Sequence, residues 1–444
     1  MSKYLLTTLP TNDLGLPARS LPIAQELRKR GHQVTFCNPA QAPSRLISGA
    51  GFDNLLPNRY LLLLTGDVSL KQIARFLTWQ HRGQNVRILL SLIRHMSKAS
   101  TAEIWDTDHF MYLLGMWNER FIRVNVEALI EVIRTWEPDA IVDFWNPFAC
   151  IAARASHKPL ITVIQPDMHP QSQGFIWWKK RPPLDLQPSP VLATNQVLAD
   201  YHLPLIEKIA DLLVGDMTLV LGLPEMDPLP ETARVTYIGA VLWQKPEDRL
   251  PAWIEDLDRE QPVIWLYPGN LQYMRGYRTF GDSAVVLEAC IEALADEAVQ
   301  VILTTGYHPL PRRFVPLPSN FRHEPYVPGL AMAEKSDLLI HHGGYASSQM
   351  GLYAGKPALI LPTFSERESN ARRIAAQGAG DYIVPQIDAT GRKKWLSAQE
   401  VRTRLFNILS DASYAENAKR IGERMKACGG AAEAARLIEK SLPG

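Results

Sequence analysis

Residues 336–355 read SDLLIHHGGYASSQMGLYAG, an apolar run, a two-glycine turn and a helix-forming stretch in direct succession. DLLI (Asp337–Ile340) has the continuous apolar character of a strand covered on both faces. His341-His342-Gly343-Gly344 breaks that run, and the helical stretch opens at Tyr345. Glycine lets backbone approach a ligand closely, and the free N–H groups of a helix N-terminus favour an anion. Ser347 and Ser348 add hydroxyls in the first turn, and His342 adds a further donor for phosphate. A glycine turn before a helix is common, so its meaning depends on the rest of the chain.

Working outward, the same alternation recurs. Lys3–Leu9 reads as a buried strand, SLPIAQELRKRGH as a helix ending at Gly31, and QVTFCNP as a second strand, which together make a βαβ unit with a parallel sheet. Arg28, Lys29 and Arg30 fall in the last helical turn, where cations are favoured. DAIVDFW (Asp139–Trp145), LITVIQP (Leu160–Pro166) and MTLVLGLP (Met217–Pro224) continue the series. The pattern restarts after Gln261 with PVIWLYPGN, a helical SAVVLEACIEALAD, VQVILTTG, SDLLIHHGG and PALILPTF. Two such runs predict an α/β protein of two Rossmann-like domains. The expected division is 1–240, a linker at 241–260 carrying Pro246 and Pro251, 261–425, and a C-terminal helix at 426–444 that packs back on the first domain.

Length and composition agree. At 444 residues the chain exceeds one hydrophobic core, and 46% hydrophobic with 21% charged residues is ordinary globular composition. Lys+Arg 47 against Asp+Glu 46 gives a net +1, which argues against a protein built to neutralise nucleic-acid phosphates. Cys37, Cys150, Cys290 and Cys428 are scattered without metal-ligand spacing, so no metal site and no disulfide framework is expected. The apolar run after Met1 is stopped by Pro10 and Asp13, too short for a signal peptide, and no stretch is long enough for a membrane span. A cytoplasmic location is the expectation. Trp79, Trp105, Trp117, Trp136, Trp145, Trp177 and Trp178 crowd the first part of the chain, as core or as an aromatic-lined cavity.

From His342 to Gly380 the chain runs HGGYASSQMGLYAGKPALILPTFSERESNARRIAAQGAG. This resembles the donor-binding signature of the family-one, UDP-glycosyltransferase-like enzymes, with His342, Gly343, Gly344, Ser347, Gly355, Pro357, Pro362, Glu366, Asn370, Ala371, Gly378 and Gly380 in register. RGHQVTFCNP and PVIWLYPGN resemble the family's first βα unit and the opening strand of its second domain. The resemblance implies the GT-B fold, two Rossmann-like domains facing across a cleft, with the acceptor held by the first and a nucleotide sugar by the second. It places His342, Gly343, Gly344, Ser347, Ser348, Gly269 and Asn270 at the diphosphate. Tyr326-Val327 would lie at the nucleobase, and Glu366 at the sugar hydroxyls.

Three departures matter. Where the family has a Glu gripping the ribose hydroxyls, this chain has Met350, which cannot accept two hydrogen bonds. Either Gln349 substitutes or the donor is a deoxyribose nucleotide, a dTDP-sugar rather than a UDP-sugar. The Gln after the sugar-binding acid is Arg367, suited to an anionic sugar or to pairing with Glu366 or Glu368. Finally, the turn TNDLGLPARS has no His where the family carries its general base; His32 matches a structural His beyond the helix. Asp13 is the ionisable group in that turn, and Asp143 matches the acid that orients the missing His.

The expected activity is inverting, metal-independent sugar transfer to a lipophilic, aromatic or polyketide-like acceptor, with no cofactor beyond the nucleotide sugar. An unperturbed Asp titrates near 4, too low for a strong base, and burial would raise Asp13 toward a useful range. Trp105, His109, Trp145 and His169 are the expected acceptor contacts, and Asp108, His109, Asp167 and His169 are the other candidates for the base. A non-catalytic nucleotide-sugar binder and an epimerase are the alternatives.

Overall fold

A computed structural model describes residues 1–57, 60, 103–183, 189–245, 247–269, 283–389 and 393–442. Asn270, Trp79 and Pro246 lie outside the described residues. The chain divides into two compact units, Met1–Leu90 with Ile104–Trp243 and Ala427–Gly444, and Ser91–Glu103 with Gln244–Lys426.

The first unit is built on β1 (Lys3–Thr8), β2 (Gln33–Cys37), β3 (Asp53–Asn54), β4 (Ala140–Phe144), β5 (Leu160–Ile164), β6 (Met217–Val220) and β7 (Thr236–Tyr237). These strands pair in parallel in the order β3-β2-β1-β4-β5-β6-β7. Every residue of β4 and β5 is buried, as expected when helices cover both faces of a parallel sheet. The helix Gly15–Lys29 follows β1 and ends at Gly31, whose φ of +87° only glycine adopts without strain. His32 is structural: its Nδ1 accepts from the Ser2 N–H at 3.2 Å, and its Nε2 lies 3.2 Å from Glu439 of the C-terminal helix Gly430–Lys440. Arg30 pairs with the same carboxylate.

The second unit has β8 (Val263–Tyr267), β9 (Gln300–Thr304), β10 (Phe321–Glu324), β11 (Leu338–His341), β12 (Ala358–Ile360) and β13 (Gly380–Tyr382). They run parallel in the order β10-β9-β8-β11-β12-β13. The apolar runs singled out in the sequence all form central strands. The edge strands β3, β7, β10 and β13 escape notice because they are short and partly exposed, so they lack an apolar run. Gln244 and the residues after it group with the second unit, where Trp253 lies under the Arg322 guanidinium at 3.7 Å and donates to Glu324 at 2.9 Å.

Each sheet reverses its order once, between β1 and β4 in the first and between β8 and β11 in the second. Ligands of open α/β sheets bind outside the carboxyl ends of the strands at such a switch point. Those ends carry the candidate residues: Thr8 and Trp145 in the first unit, Tyr267, Gly269 and His342 in the second.

Candidate functional site

In the second unit β11 ends at His341, and the helix Tyr345–Tyr353 starts after Gly344. Gly343 has φ +85°, and a Cβ there would lie 2.7 Å from the Arg367 carbonyl oxygen, so no other residue fits. A Cβ on Gly344 would meet His342 Nε2 at 2.6 Å, and one on Gly269 would meet His342 Cγ at 3.1 Å. The His342 ring is thus seated between two glycines and edge-on to Tyr267, with centroids 5.4 Å apart. It is a packed residue at the switch point rather than a loose loop side chain. Burial pushes its pKa well below the usual value, Arg367 and His341 push the same way, and the Tyr267 backbone opposes them. His342 is therefore a neutral imidazole, suited to donating one hydrogen bond rather than to acting as a cation.

Among the described residues, the polar atoms buried around this turn without a hydrogen-bond partner include His341 Nε2, His342 Nδ1, Ser348 Oγ and Gln349 Oε1. Such groups normally find partners, because an unpaired buried donor or acceptor costs about 1–3 kcal/mol. Their clustering at a glycine turn and helix N-terminus makes this the candidate site for a polar ligand. Ser347 is half-exposed on the same first turn. The Met350 thioether packs away from it: a Cβ on Gly329 would lie 2.5 Å from Met350 Sδ and 3.3 Å from the Trp265 ring. Gly329 directly follows Val327-Pro328 and begins the helix Gly329–Lys335.

Glu366, Arg367 and Asn370 come from the helix Ser365–Ala376. Asn370 Nδ2 donates to Glu366 Oε1 and to the Gly343 carbonyl, each at 2.9 Å. Arg367 Nη1 donates to Thr363 Oγ1 at 2.7 Å, while Glu368 pairs with Arg372. The Tyr326 ring is stacked on Tyr307 at 4.4 Å between centroids, and its hydroxyl donates to Asp248 at 2.6 Å. One face of Tyr326 is thus already covered by protein; Tyr307, which is well exposed at φ +69°, was not singled out from the sequence.

In the first unit the two proposed acids are not joined. Asp143 lies on β4 with no exposed surface; Thr7 Oγ1 donates to its Oδ1 at 2.6 Å and the Asn146 N–H to its Oδ2 at 2.8 Å, with Cys150 Sγ at 3.5 Å. Burial raises its pKa to about 7 against the lowering by these donors. Asp13 is exposed and accepts from the Gly15 N–H at 3.3 Å, so it lacks the burial that would strengthen it as a base. No hydrogen bond links Asp13 to Asp143.

Trp145 occupies the tip of β4 at φ +62°, next to Asn146, whose side chain caps the helix Pro147–Ala155. Its ring stacks on Phe110 at 5.1 Å and 8°. Phe110 belongs to the short helix Thr107–Met111, which also carries Asp108 and a buried His109. Asp108 accepts from the Ile209 N–H at 2.8 Å, and burial followed by the Asp106 charge raises its pKa to about 7. Trp105 is buried with its carbonyl bonded to the Phe175 N–H at 2.8 Å. His169 is buried too; its Nδ1 accepts from Gln171, and burial lowers its pKa. Trp145 with Phe110 is therefore the aromatic surface at the first switch point, and Trp105 is a core residue.

The fold is that of GT-B proteins, two Rossmann-like domains, with a glycine turn between strand and helix at the switch point of the second. Residues 288–440 match the family described as "Erythromycin biosynthesis protein CIII-like, C-terminal domain". The chain is 28% identical over 231 residues to the uncharacterized UDP-glucosyltransferase YojK of Bacillus subtilis, covering 51% of this chain and 52% of that protein. It spans about half the length of the curated relatives it matches. The spinosyn forosaminyltransferase SpnP superposes with a TM-score of 0.68 at 21% identity, over 99% of this chain and 98% of SpnP. The glycosyltransferase VinC, solved in complex with dTDP, gives 0.65 at 18% identity over 98% of each chain. The C-terminal part of the chain is thus similar to antibiotic-type glycosyltransferases, and the whole chain shares the fold of solved members of that group. Among the described residues no helix is long and apolar enough to cross a membrane.

Proposed function

We propose that the chain is an inverting glycosyltransferase that moves a sugar from a UDP- or dTDP-linked donor to a lipophilic, aromatic or polyketide-like small molecule. The observation that carries this reading is the group of unpartnered buried atoms, His342 Nδ1, Ser348 Oγ and Gln349 Oε1, around the glycine turn. A nucleoside diphosphate offers partners to all three. The second unit would hold the donor, with Glu366 on the sugar hydroxyls, and the first would hold the acceptor against Trp145 and Phe110.

In the reaction the acceptor oxygen attacks the anomeric carbon opposite the diphosphate. The carbon–oxygen bond to phosphate breaks, and the diphosphate leaves with the electron pair. Fixed N–H dipoles at the helix start and the neutral His342 stabilise that charge, which makes a metal ion unnecessary in this reading. The acceptor proton is the harder problem. Asp143 is enclosed and Asp13 is exposed, so we assign Asp13 as a modest base and expect acidic, phenolic acceptors to react best. A phenol with pKa about 10 needs less help than an aliphatic alcohol.

The test is nucleotide release from UDP- and dTDP-sugars with and without a panel of phenolic and macrolide-like acceptors. Acceptor-dependent release supports transfer. Sugar isomerisation without acceptor indicates an epimerase, and donor binding with neither indicates a sensor or auxiliary protein.

A further inference from the structure

The turn that meets the diphosphate in this reading is held from both sides by residues that need not touch the ligand. The Gly343 N–H donates to His341 Nδ1 at 3.1 Å, and the Gly343 carbonyl accepts from Asn370 Nδ2 at 2.9 Å. His341 is the last residue of β11 and 1% exposed. Strand pairing fixes its backbone, because it lies in register with Tyr267 of β8 and Ile360 of β12. Since Nδ1 accepts, the proton of a neutral ring must sit on Nε2. Burial holds the ring neutral, with its pKa near 3, so the acceptor persists at any ordinary pH.

Asn370 adds a second link. The same amide nitrogen that binds the Gly343 carbonyl donates to Glu366 Oε1 at 2.9 Å. Its two protons thus tie the anion-binding turn to the carboxylate assigned to the sugar. Gly343 at φ +85° has no side chain with which to hold itself, and glycine has the most backbone freedom to lose. Both of its peptide groups are instead fixed from neighbouring elements, a strand on one side and a helix on the other.

We infer that His341 and Asn370 are positioning residues that clamp Gly343, setting the direction of the first N–H groups of the helix Tyr345–Tyr353 and their distance from Glu366. The inference rests on the donor-site reading above. Its consequence is preorganisation: the N–H groups are aimed before the ligand arrives, so binding does not have to order the turn.

The experiment uses the full chain and two readouts. Amide hydrogen exchange of Gly343, without ligand, reports on the clamp; calorimetry with UDP and dTDP reports on the site. His341→Leu, which keeps apolar bulk but no acceptor, should speed Gly343 exchange and weaken diphosphate binding about five- to twentyfold, the scale of one lost hydrogen bond. His341→Asn restores an acceptor and should recover most of both. Asn370→Ala should weaken binding similarly from the other side, and it stands in should His341→Leu not fold. Unchanged Gly343 exchange in a folded His341→Leu or Asn370→Ala overturns the clamp. Faster exchange in variants of a parent chain that binds neither nucleotide would sink the donor reading while leaving the clamp as a purely structural device.

Discussion

Thr7 Oγ1 donates to Asp143 Oδ1 at 2.6 Å, and the two residues face each other in register across β1 and β4. With the Asn146 N–H on its second oxygen, Asp143 ties two central strands to the start of the helix Pro147–Ala155. An acid matched to a catalytic role in the family thus serves here as an internal lock.

A titration follows from this. Burial raises Asp143 to about 7, as it does Asp108. A carboxyl whose folded pKa lies above its unfolded value of about 4 stabilises the fold below that value and loses this contribution as pH rises through 7. Thermal stability should therefore fall between about pH 4 and 7. Asp143→Asn, which can still accept from Asn146, should flatten part of that fall, and Asp108→Asn another part. A slope unchanged by either substitution contradicts the assignment.

His341 has the opposite sign. Its pKa is lowered to about 3 by burial, below the unfolded value of about 6.5. The unfolded chain binds the extra proton, so the contribution is present above about 6.5 and is lost as pH falls toward 3. His341→Asn should reduce the loss of stability on acidification, as measured by denaturant midpoints between pH 7 and 4.

His342→Ala should weaken nucleoside diphosphate binding by about 1–3 kcal/mol, the range for a hydrogen bond to a charged group. Because the ring is packed between Gly269 and Gly344, the same change should also lower stability by about 1–3 kcal/mol. Calorimetry and thermal melts separate the two effects; unaltered affinity in a folded variant removes His342 from the site.

Nucleotide choice turns on Met350 and Gln349. With the thioether packed toward Gly329 and no carboxylate there, discrimination for UDP over dTDP should be weak or reversed. Competition between the two diphosphates measures it. A strong UDP preference that disappears in Gln349→Ala would assign the ribose contact to Gln349, whose Oε1 is buried and unpartnered.

Because Asp13 is exposed, Asp13→Asn should preserve donor binding and lower turnover by no more than about 10²-fold, the low end for general-base help, and by less for acidic phenols. Parent-like turnover with aliphatic alcohols would show that the proton leaves by another route.

Much of the fold was legible because it rests on local pattern. Runs such as DAIVDFW, PVIWLYPGN and SDLLIHH are apolar throughout, which is the mark of strands covered on both faces, and each became a central strand. The short edge strands β3, β7, β10 and β13 carry no such mark. In the site, Gly343 and Gly344 were readable because only glycine permits the close approach seen there. The clamp was not, since His341 and Asn370 meet Gly343 from different elements.

The sequence by itself determined the two α/β units, the resemblance to a family and the place of the glycine turn, because spacing along the chain and the lack of a side chain are properties of the chain alone. Tertiary structure decided the states of the ionisable groups. Asp13 and Asp143 are the same residue type, yet one is exposed and one fully enclosed. His341 and His342 are adjacent, yet one braces the turn while the other is seated between its glycines with Nδ1 unpartnered. Burial and the partners brought by neighbouring strands and helices set these differences, and neither is written in the identity of a residue or its place in the chain.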